Sequence, residues 1–253
     1  MEQYYTIFPV DLGTLISIDK SIFTLLRNQG TKIDVPCLGW VVVGGKSKIL
    51  VDTGPCDSNW AARYQIPLRK EAHQNLKRRL KDLELSVNDI DIVILTHLHW
   101  DHCFELGSFP NATFFVQKTE LEYAVAPLPS ETVLYEAGIK GVQPPWFSVF
   151  GSINAVDGDQ TIVPGIRVVH LPGHTPGSQG VEVLTRDGLW LIAGDTVSLY
   201  ENWEGDDTLK HIPGGIYQNL HDFYSSLRKL EAYEGRILPG HELKVLEQKH
   251  YPA

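Results

Sequence analysis

Thr96-His97-Leu98-His99-Trp100-Asp101-His102 crowds three imidazoles and a carboxylate into six positions, directly after the apolar run Ile90-Asp91-Ile92-Val93-Ile94-Leu95. Imidazole nitrogen and carboxylate oxygen are the donors that Zn²⁺ and similar borderline ions prefer. Ordinary hydrogen bonding rarely needs so many of them side by side. The run before the cluster reads as a strand, and a strand that ends this way carries a metal site to the edge of a sheet. Three further donors come later, each at a turn marked by glycine: His174 in Leu171-Pro172-Gly173-His174, Asp195 in Ala193-Gly194-Asp195, and His241 in Pro239-Gly240-His241.

Outward from that stretch, the chain has 253 residues, 43% hydrophobic and 21% charged. That is the composition of a globular protein with room for one large α/β domain or two small ones. No repeat, low-complexity tract or linker interrupts it, so the expectation is a single metallo-hydrolase domain over residues 1–253. The formal charge of −9 argues against nucleic acid as a partner, since phosphate binding needs clustered Lys and Arg. The densest basic patch, Lys77-Arg78-Arg79-Leu80-Lys81, reads as the solvated face of a helix. Cys37, Cys56 and Cys103 are odd in number and show no CxxC spacing, as in a reduced chain without a disulfide framework. Met1-Glu2-Gln3-Tyr4-Tyr5 has neither the basic start nor the apolar stretch of a signal peptide. No segment approaches the roughly 20 apolar residues that span a bilayer. A cytoplasmic protein, with no membrane partner, is the expectation.

Strand-like runs and helical runs alternate along the chain. Gly39–Val43 and Lys48–Asp52 flank Gly44-Gly45, which reads as a hairpin. Over 69–85, Ala72, Leu76, Leu80 and Leu83 recur at helical spacing between charged residues, predicting an amphipathic helix. Strands are expected at 90–95 and 112–116, with a short helix near 118–126. Residues 127–150, rich in Pro, Gly and aromatics, show no period and read as a long excursion that helps wall a pocket. Strands return at 161–163, 166–171, 180–185 and 188–193, followed by a helix over about 217–233 and a last strand at 236–238. Two strand-rich halves, each with its own helix, predict a layered α/β domain with its site where the halves meet.

Seven donors are too many for one tetrahedral ion and suit two ions that share a bridging carboxylate. The assignment is His97, His99 and His174 to one ion, Asp101, His102 and His241 to the other, and Asp195 between them. Paired ions of this kind hold a hydroxide, polarise a carbonyl and stabilise the leaving oxygen. Hydrolysis follows more readily than redox chemistry, because no Fe–S or haem pattern is present. Two divalent ions are therefore the expected cofactors, Zn²⁺ first, with Fe, Mn or Co left open by the donor types. His73, His170, His211, His221 and His250 read as ordinary core or surface residues. Asp52, in Val51-Asp52-Thr53-Gly54, has two readings: a carboxylate that orients a ligand imidazole, or a turn-forming residue. Cys103 follows His102 directly but reads as a small buried apolar group.

At these residues the chain resembles the metallo-β-lactamase superfamily of hydrolases. The HxHxDH run, the later Gly-His, the Gly-Asp and the final Gly-His stand in that family's order, from about Trp40 to His241. The resemblance implies an αββα sandwich of two mixed β-sheets flanked by helices, and it agrees with the ligand assignment. Within the superfamily the chain is most similar to the N-acyl homoserine lactonases, the quorum-quenching enzymes. That likeness implies opening of a small lactone by attack of a metal-bridging hydroxide, with Asp101 passing a proton to the leaving group. Relatives often carry a Tyr shortly after the bridging Asp to polarise the carbonyl or assist the leaving oxygen. Here the third position after Asp195 is Ser198 and the nearest Tyr is Tyr200, which makes Tyr200 a second catalytic candidate. Cys103-Phe104-Glu105 departs from the small residues common after the cluster, which touches substrate identity more than metal binding. A thioester, β-lactam or cyclic amide is the alternative substrate class, and a non-catalytic metal-binding module the alternative of another kind. The sequence leaves the oligomeric state open, a homodimer included.

Overall fold

The computed structural model describes residues 3–253; Met1 and Glu2, where the expectation of no signal peptide begins, lie outside them. Twelve strands fall into two sheets. The first contains β1 (Thr6–Asp19), β2 (Lys32–Val43), β3 (Ile49–Val51), β4 (Leu68–Arg69), β5 (Ile92–Ile94), β6 (Thr113–Gln117) and β7 (Ile153–Val156), in the order β4-β1-β2-β3-β5-β6-β7. The second contains β8 (Gln160–Val163), β9 (Ile166–His170), β10 (Gln179–Thr185), β11 (Gly188–Ile192) and β12 (Arg236–Leu238), in the order β12-β11-β10-β9-β8. Both are mixed: β3, β5, β6 and β7 run parallel, as do β11 and β12, and the other pairs are antiparallel.

Alternation along the strands builds the layers. On β3, Ile49 and Val51 point into a core shared with Val168, Val181, Val183 and Ile192 of the second sheet. Leu50 between them faces the opposite way, toward Leu76, Leu80, Phe114 and Ala124. The latter group belongs to α2 (Leu76–Asp82), β6 and α4 (Lys118–Val125). On the far side of the second sheet, α7 (Leu220–Glu231) buries Phe223, Leu227 and Leu230 against Val169, Leu171 and Leu191. Burying each such side chain contributes about 1.5–3 kcal/mol. The result is helix, sheet, sheet, helix, as the resemblance implied. Four short helices complete the set: α1 (Ser58–Arg63), α3 (Trp100–Cys103), α5 (Thr132–Tyr135) and α6 (Tyr200–Glu204).

Local structure adds to or departs from the sequence reading at three places. The helix expected over 69–85 is α2 alone, preceded by a 3-10 turn at Ala72–Gln74, because the Asn75 side chain accepts from the Arg78 amide and starts the helix at Leu76. The excursion at 127–150 holds α5 and two 3-10 segments, Pro129–Glu131 and Pro145–Ser152, the second running just past it, and its Leu134 lines a cleft. The longest strand, β1, escaped sequence reading altogether. Its pairing with β2 shifts register between Asp11 and Gly13 and again between Leu15 and Ile18, and these bulges scramble the alternation that marks a strand. Among the described residues, no helix is long and apolar enough to cross a membrane.

Candidate metal centre

The decisive stretch leaves β5 at Ile94 and turns at Thr96 because Asp52, at the end of the neighbouring β3, captures it. One Asp52 oxygen accepts the Thr96 amide at 2.8 Å, and the other accepts the Thr96 hydroxyl at 2.7 Å. The second oxygen also accepts His102 Nδ1–H at 2.8 Å. Asp52 is 2% exposed and sits at φ 56, a left-handed backbone conformation that Asp tolerates better than most residues. Of the two readings the sequence left open for Asp52, these bonds match the orienting one. Three of the four remaining imidazoles, all but His99, are held in the same manner. The Thr96 hydroxyl oxygen lies 3.1 Å from His97 Nδ1, while the Ile216 and Pro36 carbonyls accept from His174 Nδ1 at 2.9 Å and His241 Nδ1 at 2.8 Å. Each bond leaves Nε2 without a proton in the neutral ring, free to act as a donor to a cation.

Those free atoms converge. His97, His99 and His174 offer ring nitrogens within 4.8 Å of one another, and His97, His102 and Asp195 do the same. His99 Nδ1 is 3.1 Å from His174 Nε2. Asp195 faces both ways. Its Oδ2 lies 3.4 Å from His174 Nε2, whereas Oδ1 lies 3.1 Å from His241 Nε2 and 3.5 Å from His102 Nε2. Asp101 Oδ2 completes the second group at 3.7 Å from His102 Nε2 and 3.8 Å from His241 Nε2. Donors on one tetrahedral ion, at bond lengths near 2.0–2.1 Å, stand about 3.4 Å apart. The observed separations bracket that figure.

A test of fit comes from hydrogen bonding. Buried polar atoms are almost always paired, yet His97 Nε2, His99 Nε2, His102 Nε2 and Asp195 Oδ1 are buried with no hydrogen-bond partner. The field at the site points the same way. Burial, then the neighbouring imidazoles, depress the pKa of His97 and His99. At His102 burial also opposes charge, but Asp101, Asp195 and Asp52 outweigh it and push the value up to about 10. Burial likewise opposes ionisation of Asp195, and the imidazoles of His241, His102 and His174 nevertheless hold it well below the usual carboxylate range. The three carboxylates gather negative charge around the second group of donors, which a bound cation would balance. The residues fit a pair of cations.

Glu120 on α4 ties the two ligand loops together. One of its oxygens accepts from the Leu98 amide and the Tyr135 hydroxyl, each at 2.9 Å. The other accepts from the Thr175 hydroxyl at 2.6 Å and the Gly177 amide at 3.1 Å. Leu98 lies between His97 and His99, and Thr175 follows His174, so one fully buried carboxylate fixes the spacing between loops from the two sheets. Gly177 has to be glycine there, because a Cβ would fall 2.3 Å from the Glu120 backbone nitrogen. Sequence reading missed Glu120, since a lone acid in an amphipathic helix carries no distinguishing mark.

His99, Asp101, His174, Asp195 and His241 line a cleft of about 230 Å³. Its walls are apolar: Leu15, Ile18, Ile22, Phe23, Ile66, Trp100, Leu134 and Ile216, with Gln65 the one polar group besides the donors. Tyr200 is not brought into this cleft. It begins α6 and lines a neighbouring hollow with Lys20, Asp34 and Glu242, on the other side of His241. Its ring packs against the core shared by the two sheets, and Tyr200 is not among the residues that line the cleft. Cys103 is buried, and its thiol donates to the Leu98 carbonyl at 3.3 Å. Cys37, passed over in the sequence, falls beside Asp101 and His241.

Residues 33–241 match the family model described as the Metallo-beta-lactamase superfamily. The N-acyl homoserine lactonase AttM of Rhizobium radiobacter is 30% identical over 254 residues, covering 87% of this chain and 88% of that protein. An N-acyl homoserine lactonase of Bacillus sp is 27% identical over 199 residues, 75% of each. Among solved structures, a quorum-quenching N-acyl homoserine lactone lactonase superposes with a TM-score of 0.76 at 24% identity, covering 96% of this chain and 95% of that one. An N-acyl homoserine lactone hydrolase with the product N-hexanoyl-L-homoserine at its catalytic metal center gives 0.77 at 23% identity, with coverage of 96% and 95%. At those identities the likeness is one of fold.

Proposed function

The chain belongs to the metallo-beta-lactamase superfamily, and on that footing we propose that it is a dinuclear metal-dependent hydrolase that opens N-acyl homoserine lactones. One observation carries the reading: seven donors from both sheets converge beneath an apolar cleft, with the two oxygens of Asp195 turned to different groups. The names of the relatives support the substrate class.

In this reading His97, His99 and His174 hold one ion, Asp101, His102 and His241 the other, and Asp195 stands between them. The ions, which we take to be Zn²⁺, supply Lewis acidity and a nucleophile drawn from water at neutral pH. The side chains do the rest. Asp101 lines the cleft and is the carboxylate we assign to moving the proton. One of its carboxylate oxygens takes the proton as water oxygen adds to the lactone carbonyl carbon. It returns that proton to the ring oxygen as the carbon–oxygen bond breaks, leaving a hydroxyl and a carboxylic acid whose remaining proton passes to solvent. The apolar walls take the acyl chain and keep bulk water from the reacting bond. No tyrosine hydroxyl lines the cleft, so no side chain of that kind is assigned to the carbonyl. Three unpaired buried thiols go with a reducing, cytoplasmic setting.

The test is a panel of N-acyl homoserine lactones of graded chain length incubated with the Zn²⁺-loaded protein, with ring-opened acid measured by mass. Opening of at least one lactone, lost on chelation and in Asp195→Asn, is expected. A protein that holds two ions and opens none of them contradicts the substrate class.

A further inference from the structure

All three cysteines are buried and unpaired, but they do not have the same surroundings. Cys37 and Cys56 both belong to the apolar cluster of Trp60 and Leu68, and the Cys103 thiol spends its hydrogen on the Leu98 carbonyl. Cys37 stands on β2 next to Pro36, whose carbonyl orients His241. Its sulfur, a carboxylate oxygen of Asp101 and a ring nitrogen of His241 all lie within 4.8 Å of one another. These three donors come from a strand, from the start of α3 and from the turn after β12. Beside them is His102 Nε2, buried and without a hydrogen-bond partner, 3.7 Å from Asp101 Oδ2.

We propose that Cys37 is a ligand of the second metal ion, a sulfur donor beside Asp101, His102, His241 and Asp195. The inference rests on the dinuclear reading and deepens it. At Zn–S and Zn–N lengths of about 2.3 and 2.0–2.1 Å, neighbouring donors on a five-coordinate ion stand about 3–4 Å apart, so the group, within 4.8 Å, needs only a small closure on loading. Coordination replaces the S–H bond with a bond to the ion, and the proton leaves to solvent. The two ions then have unlike environments. One is held by three imidazoles and a carboxylate, whereas the other includes a soft donor that favours Zn²⁺, Co²⁺ or Cd²⁺ over Mn²⁺ or Mg²⁺. A buried thiol used only for packing would give no such preference.

Co²⁺ reports sulfur ligation directly, because a thiolate bound to it gives a near-ultraviolet charge-transfer band that imidazole and carboxylate ligands do not. The protein is loaded with Co²⁺, its metal content measured, and its spectrum recorded beside those of Cys37→Ser, Cys37→Ala, Cys56→Ser and Cys103→Ser. The expected result is the band in the unmodified chain and in the Cys56 and Cys103 variants, with complete loss in both Cys37 variants. Two Co²⁺ per chain without the band, or a band that survives Cys37→Ser, overturns the role of the thiol and leaves the dinuclear centre standing. Uptake of less than one Co²⁺ per chain overturns both. The spectrum of the unmodified chain decides the matter even if a variant fails to fold.

Discussion

Asp52 accepts three hydrogen bonds, and its effect reaches every ligand of the first cluster through Thr96 and His102. Replacing it by Asn exchanges one accepting oxygen for a donor group, so either the Thr96 turn or the Nδ1–H of His102 loses its partner. Partners of this type typically contribute ten- to a hundredfold in metal affinity. Asp52→Asn should therefore weaken Zn²⁺ retention against a chelator by about that factor, while the fold persists by circular dichroism; unchanged retention would show that His102 is oriented by other means. At this scale the sequence was most informative. Crowded donors at His97, His99, Asp101 and His102, and Gly-marked turns before His174, Asp195 and His241, are local signals. Cys37 and Glu120 carry none. Each becomes a neighbour of the ligands only through pairing partners dozens of residues away, as in the Glu120 bonds to Leu98 and Gly177. Tyr200 is the converse case: its distance along the chain from Asp195 invited a role, yet it lines the hollow beyond His241 and not the cleft.

Helix α7 is fastened to the second sheet by an ionic clasp as well as by its apolar face. The Asp159 carboxylate, just before β8, accepts from Lys229 Nζ at 2.6 Å, from the His170 amide at 2.8 Å and from the Arg167 guanidinium at 2.8 Å. Partial burial pushes its pKa up, but these partners outweigh burial and hold it below the ordinary aspartate value. The unfolded carboxyl titrates near about 3.9, so the clasp's contribution is complete above that pH and is lost as pH falls through the lower folded value. Asp159→Asn should cost about 1 kcal/mol at neutral pH, discounted for solvent screening. That difference should shrink on acidification toward and below pH about 4, read from urea unfolding of both proteins. A gap that is constant with pH contradicts an ionic clasp. Elements were legible in the sequence where one face packs and the other is wet, as in α7 and β9 to β11. They were obscured where bulges break the alternation of β1 and where Asn75 cuts a helical repeat short.

Across the whole molecule the site lies where the two sheets meet. Ligands leave β5 of the first sheet and the ends of β9, β11 and β12 of the second, and the shared core beneath them contains residues of both. We take the chain to be one cooperative domain on this ground. Ions that bind only the folded state add stability that grows with free metal, about 2.7 kcal/mol per ion at a hundred times its dissociation constant. Chelation should lower the melting temperature of a single transition, and added Zn²⁺ should restore it; two transitions of which only one responds to metal would contradict a centre shared by both sheets. The layered architecture could not be read from periodicity alone, because alternating runs do not say which sheet a strand joins. The ligand order supplied what the pattern lacked. Crystals of the Zn²⁺-loaded protein, measured on both sides of the zinc absorption edge, test the central claim most directly. The account predicts two anomalous peaks, one among His97, His99 and His174 and one among Asp101, His102 and His241, each within bonding distance of a different oxygen of Asp195. A single peak, or two peaks that leave Asp195 or His241 unbound, contradicts it.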